Sequence, residues 1–297
     1  MAGVHRNMST RIIVSALLGI AWLASPAVAD TEVVVTPSVV RPGDPVLVTV
    51  TGSRELPHGK VNGNPLQFFA SRTGYQAVFA TALDATTDAI AAEDAVIVDI
   101  DGAAPQNVPL RATTFKETNV VVEDELANPS KADRERIDAD NAAIVRAAAR
   151  ARGEPQFTRP FRRPPGEVTS AFGTWRTFND GHRSQHLGVD LFAREGSRVN
   201  AINAGTVVLV RECFLAGNVV VIAHGGGIAS AYYHLSETSV SEGDRVAPGD
   251  EIGRAGHTGR TTGPHLHLSI HVPGGMVNPV AFLGLKLAPA GTAVTRR

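Results

Sequence analysis

The sequence predicts a mainly β protein of about two domains, and three observations support this prediction. The 297 residues are 43% hydrophobic, which is enough apolar material for a sizeable core, and domains average roughly 150 residues. Gly (29) and Pro (18) are plentiful while aromatic residues are 5%, a balance that favours short strands joined by tight turns. Short Val/Ile-rich runs such as "VLVTVTG" and "NVVVIAHGG" recur along the chain, as expected for strands.

Residues 1–29 have the layout of a secretory signal peptide. Cationic residues extend to Arg11, an apolar run follows from Ile12 to Leu23, and Ala27-Val28-Ala29 precedes Asp30. The alternative is an uncleaved membrane anchor, but the apolar run is shorter than the roughly 20 residues of a spanning helix. We therefore predict an exported protein, periplasmic or extracellular, with no stable membrane span once the signal is removed.

Charge and cysteine content limit the possible partners. The net charge is −1, and loss of two arginines with the signal segment brings it to about −3, with no basic tract. This argues against a nucleic-acid partner. Cys213 is the single cysteine, so an intrachain disulfide is excluded and an exported chain must be stable without one.

Residues 30–120 alternate short apolar runs with turn residues, as in "TEVVVTP", "QAVFATAL" and "AVIVDIDG". Runs of this length and spacing predict a small β-sandwich. Its charged residues form no cluster with catalytic spacing, and His58 lies among loop formers. We expect this domain to act as a spacer, an adaptor or an inhibitory cover, with unknown protein partners.

Residues 121–156 are predicted to be a connecting helical linker. Ser130 followed by Asp133 resembles a helix-capping pair, Ala-rich sequence favours helix, and Gly153 with Pro155 ends it. Because large apolar residues are few, the helix is interpreted as a charged connection between domains. A partner-binding helix is the alternative.

Residues 157–285 form the second predicted domain, rich in Gly and in hairpin-like runs, followed by a flexible tail over residues 286–297. Eight of the ten histidines fall between His182 and His271. Three of them lie in "TGPHLHLSIHV". Because side chains alternate across a strand, His265, His267 and His271 share one face, while the intervening Leu and Ile residues face the core.

Two further stretches carry residues suited to a metal site. In "HLGVD", His186 and Asp190 offer an imidazole and a carboxylate, and in "YYHLS" His234 follows two tyrosines in a strand-like run. His186, Asp190 and one histidine of the "HLH" pair would give zinc three protein ligands and leave its fourth position for water. His234 and the other histidine of the pair would then be free to handle protons or stabilise an oxyanion.

"HLGVD", "YYHLS" and "TGPHLHLSI", in this order, resemble the three signature motifs of the lysostaphin/LytM family of zinc metallopeptidases, which cut peptide bonds in bacterial peptidoglycan. The resemblance extends from about Phe157 to Pro279. It implies a C-terminal LytM-type antiparallel β domain, built as a duplicated hybrid motif, and an N-terminal immunoglobulin-like sandwich.

Matched position by position, the resemblance implies that His186, Asp190 and His267 ligate Zn²⁺. His265 and His234 match the catalytic positions, His265 as the base and His234 as the stabiliser of the tetrahedral intermediate. The implied activity is a secreted zinc endopeptidase that hydrolyses peptide cross-links or stem peptides of peptidoglycan. None of the five positions is substituted.

Two other functions stay open. The chain could be a non-enzymatic LytM-type activator or scaffold for other cell-wall hydrolases, or a zinc protease acting on protein substrates. Outside the five positions, the sequence predicts a structural role for His224, a bystander role for His271 and a buried Cys213. Arg176 and Asn179 are expected to border the substrate groove, whereas His182 and His257 lie in Gly-flanked loops without an assigned role.

Overall fold

The computed structural model describes residues 31–83, 95–179 and 181–289. The predicted signal peptide and residues 290–297 of the predicted tail lie outside this part of the chain. Within the described residues, no helix is both long and apolar enough to cross a membrane. The chain is mostly β with antiparallel sheets, which confirms the predicted fold class.

The strands of the N-terminal part are β1 Glu32–Thr36, β2 Pro45–Thr51, β3 Gly59–Val61, β4 Asn64–Pro65, β5 Phe69–Ser71, β6 Gly74–Ala80, β7 Ala95–Ile100 and β8 Gln106–Pro109. They form two four-stranded antiparallel sheets, with strand orders β1-β2-β6-β5 and β4-β3-β7-β8. Their facing sides bury alternate residues, for example Val96, Val98 and Ile100 of β7, as a half-buried strand requires. The predicted sandwich is therefore present, and its immunoglobulin-like character stays a prediction.

The strands of the C-terminal part are β9 Glu117–Val120, β10 Val168–Ser170, β11 Trp175–Phe178, β12 His182–Gln185, β13 Val189–Phe192, β14 Arg198–Asn200, β15 Gly205–Cys213, β16 Gly217–Gly225, β17 Ile228–Thr238, β18 Arg245–Val246, β19 Glu251–Ala255, β20 His265–Val272 and β21 Gly275–Val277. Most of them form a large antiparallel sheet with the strand path β10-β13-β20-β17-β16-β15-β18, to which β14, β19 and β21 pair. A separate three-stranded sheet has the order β12-β11-β9. A short helix, Pro279–Leu283, follows.

The register of this sheet places chemically important residues side by side. Asp190 on β13 pairs with His267 on β20, and Tyr233 on β17 pairs with the same histidine from the other side. Directly opposed side chains in an antiparallel pair have Cβ atoms about 5 Å apart. Three strands that are distant in sequence therefore bring a carboxylate, an imidazole and a phenol ring to one spot.

The connecting segment forms a short helix, Asp124–Ala127, a longer helix, Lys131–Ala148, and a 3₁₀ turn, Ala149–Ala151. The Ser130 hydroxyl accepts the Asp133 backbone N–H at 3.2 Å, which confirms the predicted N-cap. The longer helix also buries Ile144 and Ala147 in one apolar cluster with residues of β15, β16 and β17. Small alanines allow this close packing, so the helix covers one side of the sheet as well as connecting.

The N-terminal sandwich and the C-terminal sheet share a core. Phe69 of β5 packs edge-on against Phe157, with ring centroids 6.2 Å apart. Backbone hydrogen bonds also cross the boundary, including Ala80 N–H to Pro273 O at 2.9 Å and Asn278 N–H to Gly43 O at 2.8 Å. The two parts are therefore held together by buried side chains and by backbone hydrogen bonds.

Candidate metal centre

Three side chains converge at one end of β13 and β20. His186 Nε2 lies 3.0 Å from Asp190 Oδ1 and 2.8 Å from His267 Nδ1. His267 Nδ1 lies 2.8 Å from the same Asp190 oxygen. Within the described ranges, no other trio of His, Cys, Asp or Glu side chains has atoms close enough to share a metal ion.

The donor set fits a zinc ion. Tetrahedral ligands at 2.0–2.2 Å from zinc stand about 3.3 Å from one another, close to the 2.8–3.0 Å separations of these donor atoms. Two imidazole nitrogens and one carboxylate oxygen form a ligand set that suits zinc.

Gly188 makes room for the third donor. A Cβ atom at this position would lie 2.5 Å from His267 Nε2 and 2.6 Å from Leu268 O. Such contacts are far inside normal van der Waals distance. The glycine of "HLGVD" is therefore required for the His267 ring to lie beside His186.

Hydrogen bonds outside the trio orient His186 and Asp190. The carbonyl of Ala171 lies 2.9 Å from His186 Nδ1, so Nδ1 donates to this carbonyl and Nε2 faces the centre. Arg176 donates to Asp190 Oδ2 while Oδ1 faces the two imidazoles. Partners of this kind fix the tautomer and orientation of metal ligands.

Burial and hydrogen bonding set the protonation states. Burial acts to raise the pKa of the Asp190 carboxyl, but hydrogen bonds from His186 and His267 outweigh it and hold that pKa well below its usual range. Burial lowers the pKa of His267 to about 4, against the opposing hydrogen bond to Asp190. A carboxylate and a neutral imidazole are the forms in which Asp190 and His267 bind a cation.

His265 and His234 lie next to the trio, with ring centroids 5.0 Å apart. His265 Nδ1 lies 2.8 Å from Gly263 O, and His234 Nδ1 lies 2.8 Å from Thr258 O. Since a carbonyl only accepts, both Nδ1 atoms carry protons. In each neutral ring Nε2 is then free of a proton, and in His265 it lies 3.6 Å from Asp190 Oδ1.

The backbone at His234 departs from regular strand geometry. This residue has φ +61°, the register of β17 with β16 shifts across it, and the register of β17 with β19 shifts just after it. A positive φ in a residue other than glycine is uncommon and marks a local distortion, here a bulge. The His234 N–H consequently bonds to Ala216 O outside the ladder, at 3.0 Å, and the imidazole lies beside His265.

An open groove of about 640 Å³ runs over Asp190 and His265. Its walls come from residues 168–171, residues 260–265 and, on and around β9, residues 116 and 118–121. Among the described residues, none of the two N-terminal sheets lines it. The segment around β9, rather than the two sheets of the sandwich, therefore shapes the groove there.

Comparison with known proteins identifies the domain that carries this site. Residues 184–279 match the model of Peptidase family M23. The chain carries a peptidase family M23 domain. This match confirms the family that the three histidine motifs predict, and it includes all five candidate site residues.

The M23 domain has curated relatives in several bacteria. It is 44% identical over 93 residues to "Peptidoglycan DD-endopeptidase ShyA" of Vibrio cholerae, covering 31% of this chain and 22% of that protein. It is 40% identical over 122 residues to "DD-carboxypeptidase/endopeptidase Mpg" of Neisseria meningitidis, covering 38% of this chain and 26% of that protein. The matched regions thus span about a quarter of these relatives.

One solved structure resembles the fold over most of the chain. A putative peptidase M23 from Pseudomonas aeruginosa superimposes with a TM-score of 0.61 at 23% identity, covering 84% of this chain and 96% of that one. At this identity the likeness concerns the fold alone. It extends beyond the M23 domain, to the arrangement of the N-terminal part.

The remaining histidines lie away from the trio. His224 is fully buried, with Nδ1 2.7 Å from Ala204 O and Nε2 2.8 Å from Ser230 Oγ, as a structural role requires. His271 is buried, with Nε2 3.3 Å from Ser269 Oγ, and belongs to a different cavity. His182 and His257 are exposed, stacked on Phe178 and facing Glu195 respectively.

The other residues singled out in the sequence have varied surroundings. Cys213 is buried, and burial raises the pKa of its thiol to about 11. Arg176 lines the groove. Asn179 is not among the described residues that line the groove. Its side chain accepts from the backbone N–H of Val122 and donates to the Val122 carbonyl, so it ties the connecting segment to the end of β11.

Sequence reasoning missed three contributors to the site. Arg260 lines the groove with its guanidinium 4.0 Å above the Phe178 ring, and Tyr233 meets His267 edge-on at 4.7 Å between centroids. Gly188 provides the space described above. For Gly188 the signal in the sequence is the glycine of "HLGVD" itself, which stands between two predicted metal ligands.

Proposed function

We propose that this protein is an exported zinc metalloendopeptidase that hydrolyses peptide cross-links or stem peptides of bacterial peptidoglycan. The observation that carries the proposal is the His186–Asp190–His267 trio, whose Asp190 lines an open groove, with two further imidazoles beside it. The name of the Vibrio cholerae relative, a peptidoglycan DD-endopeptidase, supports peptidoglycan as the substrate.

In this proposal His186 Nε2, Asp190 Oδ1 and His267 Nδ1 hold the metal. When bound there, zinc would supply a Lewis acid for the scissile carbonyl and would lower the pKa of the attacking water. Arg176 keeps the second oxygen of Asp190 occupied, so a single oxygen of this carboxylate is left for the ion. Ala171 O keeps the His186 lone pair directed at it.

His265 is proposed to accept the proton of the attacking water. Its Nδ1 proton is committed to Gly263 O, so Nε2 has the free lone pair that a base needs. The side chain is 16% exposed and borders the groove, where a positive charge on the ring can still be solvated. A general base must lie within hydrogen-bonding distance of the proton that it removes.

His234 is proposed to stabilise the tetrahedral intermediate. Because Nδ1 is bound to Thr258 O, the ring can donate to an oxyanion only through a protonated Nε2. Burial lowers the pKa of His234 to about 3, so the ring is neutral before reaction and must take up the proton released by the attacking water before it can donate. The interaction would then be strongest in the transition state, which is what catalysis requires.

The groove suits an extended peptide. It carries three exposed apolar side chains, Val121, Val168 and Phe192. β9 is the outer strand of its sheet, and outer strands offer backbone groups with which an extended peptide can pair. We propose that the substrate lies between β9 and the loop of residues 260–265.

Cleavage of purified cross-linked muropeptide dimers tests this proposal. Wild-type protein should convert dimers to monomers, and a chelator should abolish the conversion. His267→Ala should lose both zinc and activity, whereas His265→Ala should keep zinc and lose activity. His58→Ala, an exposed loop histidine, serves as the matched control and should behave as wild type.

Two results would contradict the proposal. Fully zinc-loaded wild-type protein that leaves dimers intact would favour the activator or scaffold function. Equal or faster cleavage of Gly-rich protein peptides would favour a zinc protease with protein substrates.

A further inference from the structure

A second cavity, which the proposed chemistry does not use, lies beside the groove. It has a volume of about 470 Å³ and is bordered by residues 162–166, 192–194 and 197–202, together with Gly249 and Leu266. Pro164, Pro165 and Ala193 give it apolar walls. Its size is within the range of small-ligand sites.

Four arginines border this cavity: Arg162, Arg163, Arg194 and Arg198. Among the described residues, no Asp or Glu lines it. A cavity with charges of one sign focuses the electrostatic potential and attracts ligands of the opposite sign. We refer to it below as the arginine pocket.

Two of the four guanidinium groups are already engaged. Arg163 donates to Gly166 O at 2.9 Å, and Arg198 Nε lies 3.0 Å from Glu251 Oε2. For Arg162 and Arg194, the described part of the chain provides neither a hydrogen-bond acceptor nor a carboxylate partner. These two side chains are therefore available to an anion.

The arginine pocket adjoins the groove at Phe192, which lines both cavities. Phe192 pairs directly with His265 across β13 and β20, and it lies two residues beyond Asp190 on the same strand. Two strand residues span about 6.6 Å. An extended peptide whose scissile bond lies over Asp190 would therefore reach the pocket within about two or three residues.

We propose that the arginine pocket binds a carboxylate of the peptide substrate, about two or three residues from the scissile bond, through Arg162 and Arg194. Guanidinium groups bind carboxylates with charge-assisted, often paired hydrogen bonds. Phe192 supplies the apolar surface over which the peptide passes from the groove. This inference rests on the proposed function, since it assigns a specificity site to the same substrate.

Two versions of one cross-linked peptide test this inference, one with free carboxylates and one with those carboxylates converted to primary amides. Wild-type protein should show a KM about fivefold lower for the carboxylate form, in line with two partly exposed ion pairs, at similar kcat. The double variant Arg162→Gln/Arg194→Gln should lose this preference. Arg245→Gln, an exposed arginine on β18, should retain it.

Equilibrium binding in the presence of a chelator gives a readout independent of cleavage. The carboxylate peptide should bind wild-type protein about fivefold more tightly than it binds the double variant, and added salt should reduce that difference. If wild-type protein cuts neither peptide but keeps this preference, the proposed function fails and the pocket assignment stands. Two results would overturn the pocket assignment. One is equal affinity of wild-type protein for both peptides, and the other is an equal loss of affinity for the carboxylate peptide in the double variant and in Arg245→Gln.

Discussion

Gly188 is the position where one added methyl group should disable the candidate metal centre. A Cβ atom there would lie 2.5 Å from His267 Nε2 and 2.6 Å from His267 Cε1. The backbone carbonyl of Leu268 would be 2.6 Å away on another side. The methyl group therefore has no space unless the imidazole moves.

The size of the displacement follows from these distances. Non-bonded carbon contacts are comfortable at about 3.5 Å, so the His267 ring must shift by about 1 Å. Metal–ligand distances tolerate deviations of only about 0.2 Å. Gly188→Ala should therefore weaken zinc binding by more than the ~10–100-fold typical for loss of an outer hydrogen-bond partner. Overpacking should also cost about 1–3 kcal/mol of stability.

Competition with a chromophoric chelator measures the affinity, and denaturant unfolding of the metal-free protein measures the stability separately. Gly284→Ala is a matched control. Its Cβ would lie no closer than 3.3 Å to any atom, and its φ of −83° is open to alanine. The control should bind zinc as wild type does. If folded Gly188→Ala protein bound zinc as tightly as wild type does, the assignment of His267 as a zinc ligand would be refuted.

Two further predictions concern groups around the centre and in the core. Arg176→Gln should weaken zinc binding about 10–100-fold because Asp190 loses the partner that orients its second oxygen; an unchanged affinity in the chelator competition would argue against that role. Burial lowers the pKa of His224 to about 4, whereas the unfolded chain titrates near 6.5. The unfolded state therefore binds the proton first as pH falls, and about 3 kcal/mol of stability should be lost between pH 7 and pH 4. Urea unfolding of wild type and His224→Gln across this range measures that contribution, and equal pH slopes would contradict it.

The strand geometry of the site could be predicted from sequence because it depends on local alternation. His265 and His267 are two residues apart in "HLHL", and the structure places both rings at one centre. The N-cap at Ser130 was predictable for the same reason. Local patterns of this kind depend on neighbours within a few residues.

Pairings between distant strands could not be predicted in this way. The register that sets Asp190 opposite His267 depends on how β13 and β20 meet, and no residue of either strand specifies it alone. The positive φ of His234 was likewise hidden, since "YYHLS" reads as regular strand. The family resemblance, rather than periodicity, identified these residues as one site.

The connecting segment shows where sparse apolar content misleads. Residues 121–156 have few large apolar side chains, so a solvated connection was expected, yet Ile144 and several alanines pack against the sheet. Just before them, β9 pairs with β11 and lines the groove. Alanine packing and parallel pairing leave little trace in hydrophobic patterns.

Zinc titration of chelator-treated protein, followed by cleavage of cross-linked muropeptide dimers, tests the central claim most directly. One zinc equivalent per chain should restore conversion of dimers to monomers, and further zinc should add nothing. Dimers that stay intact at full zinc occupancy, or cleavage that proceeds without any metal, would contradict the account.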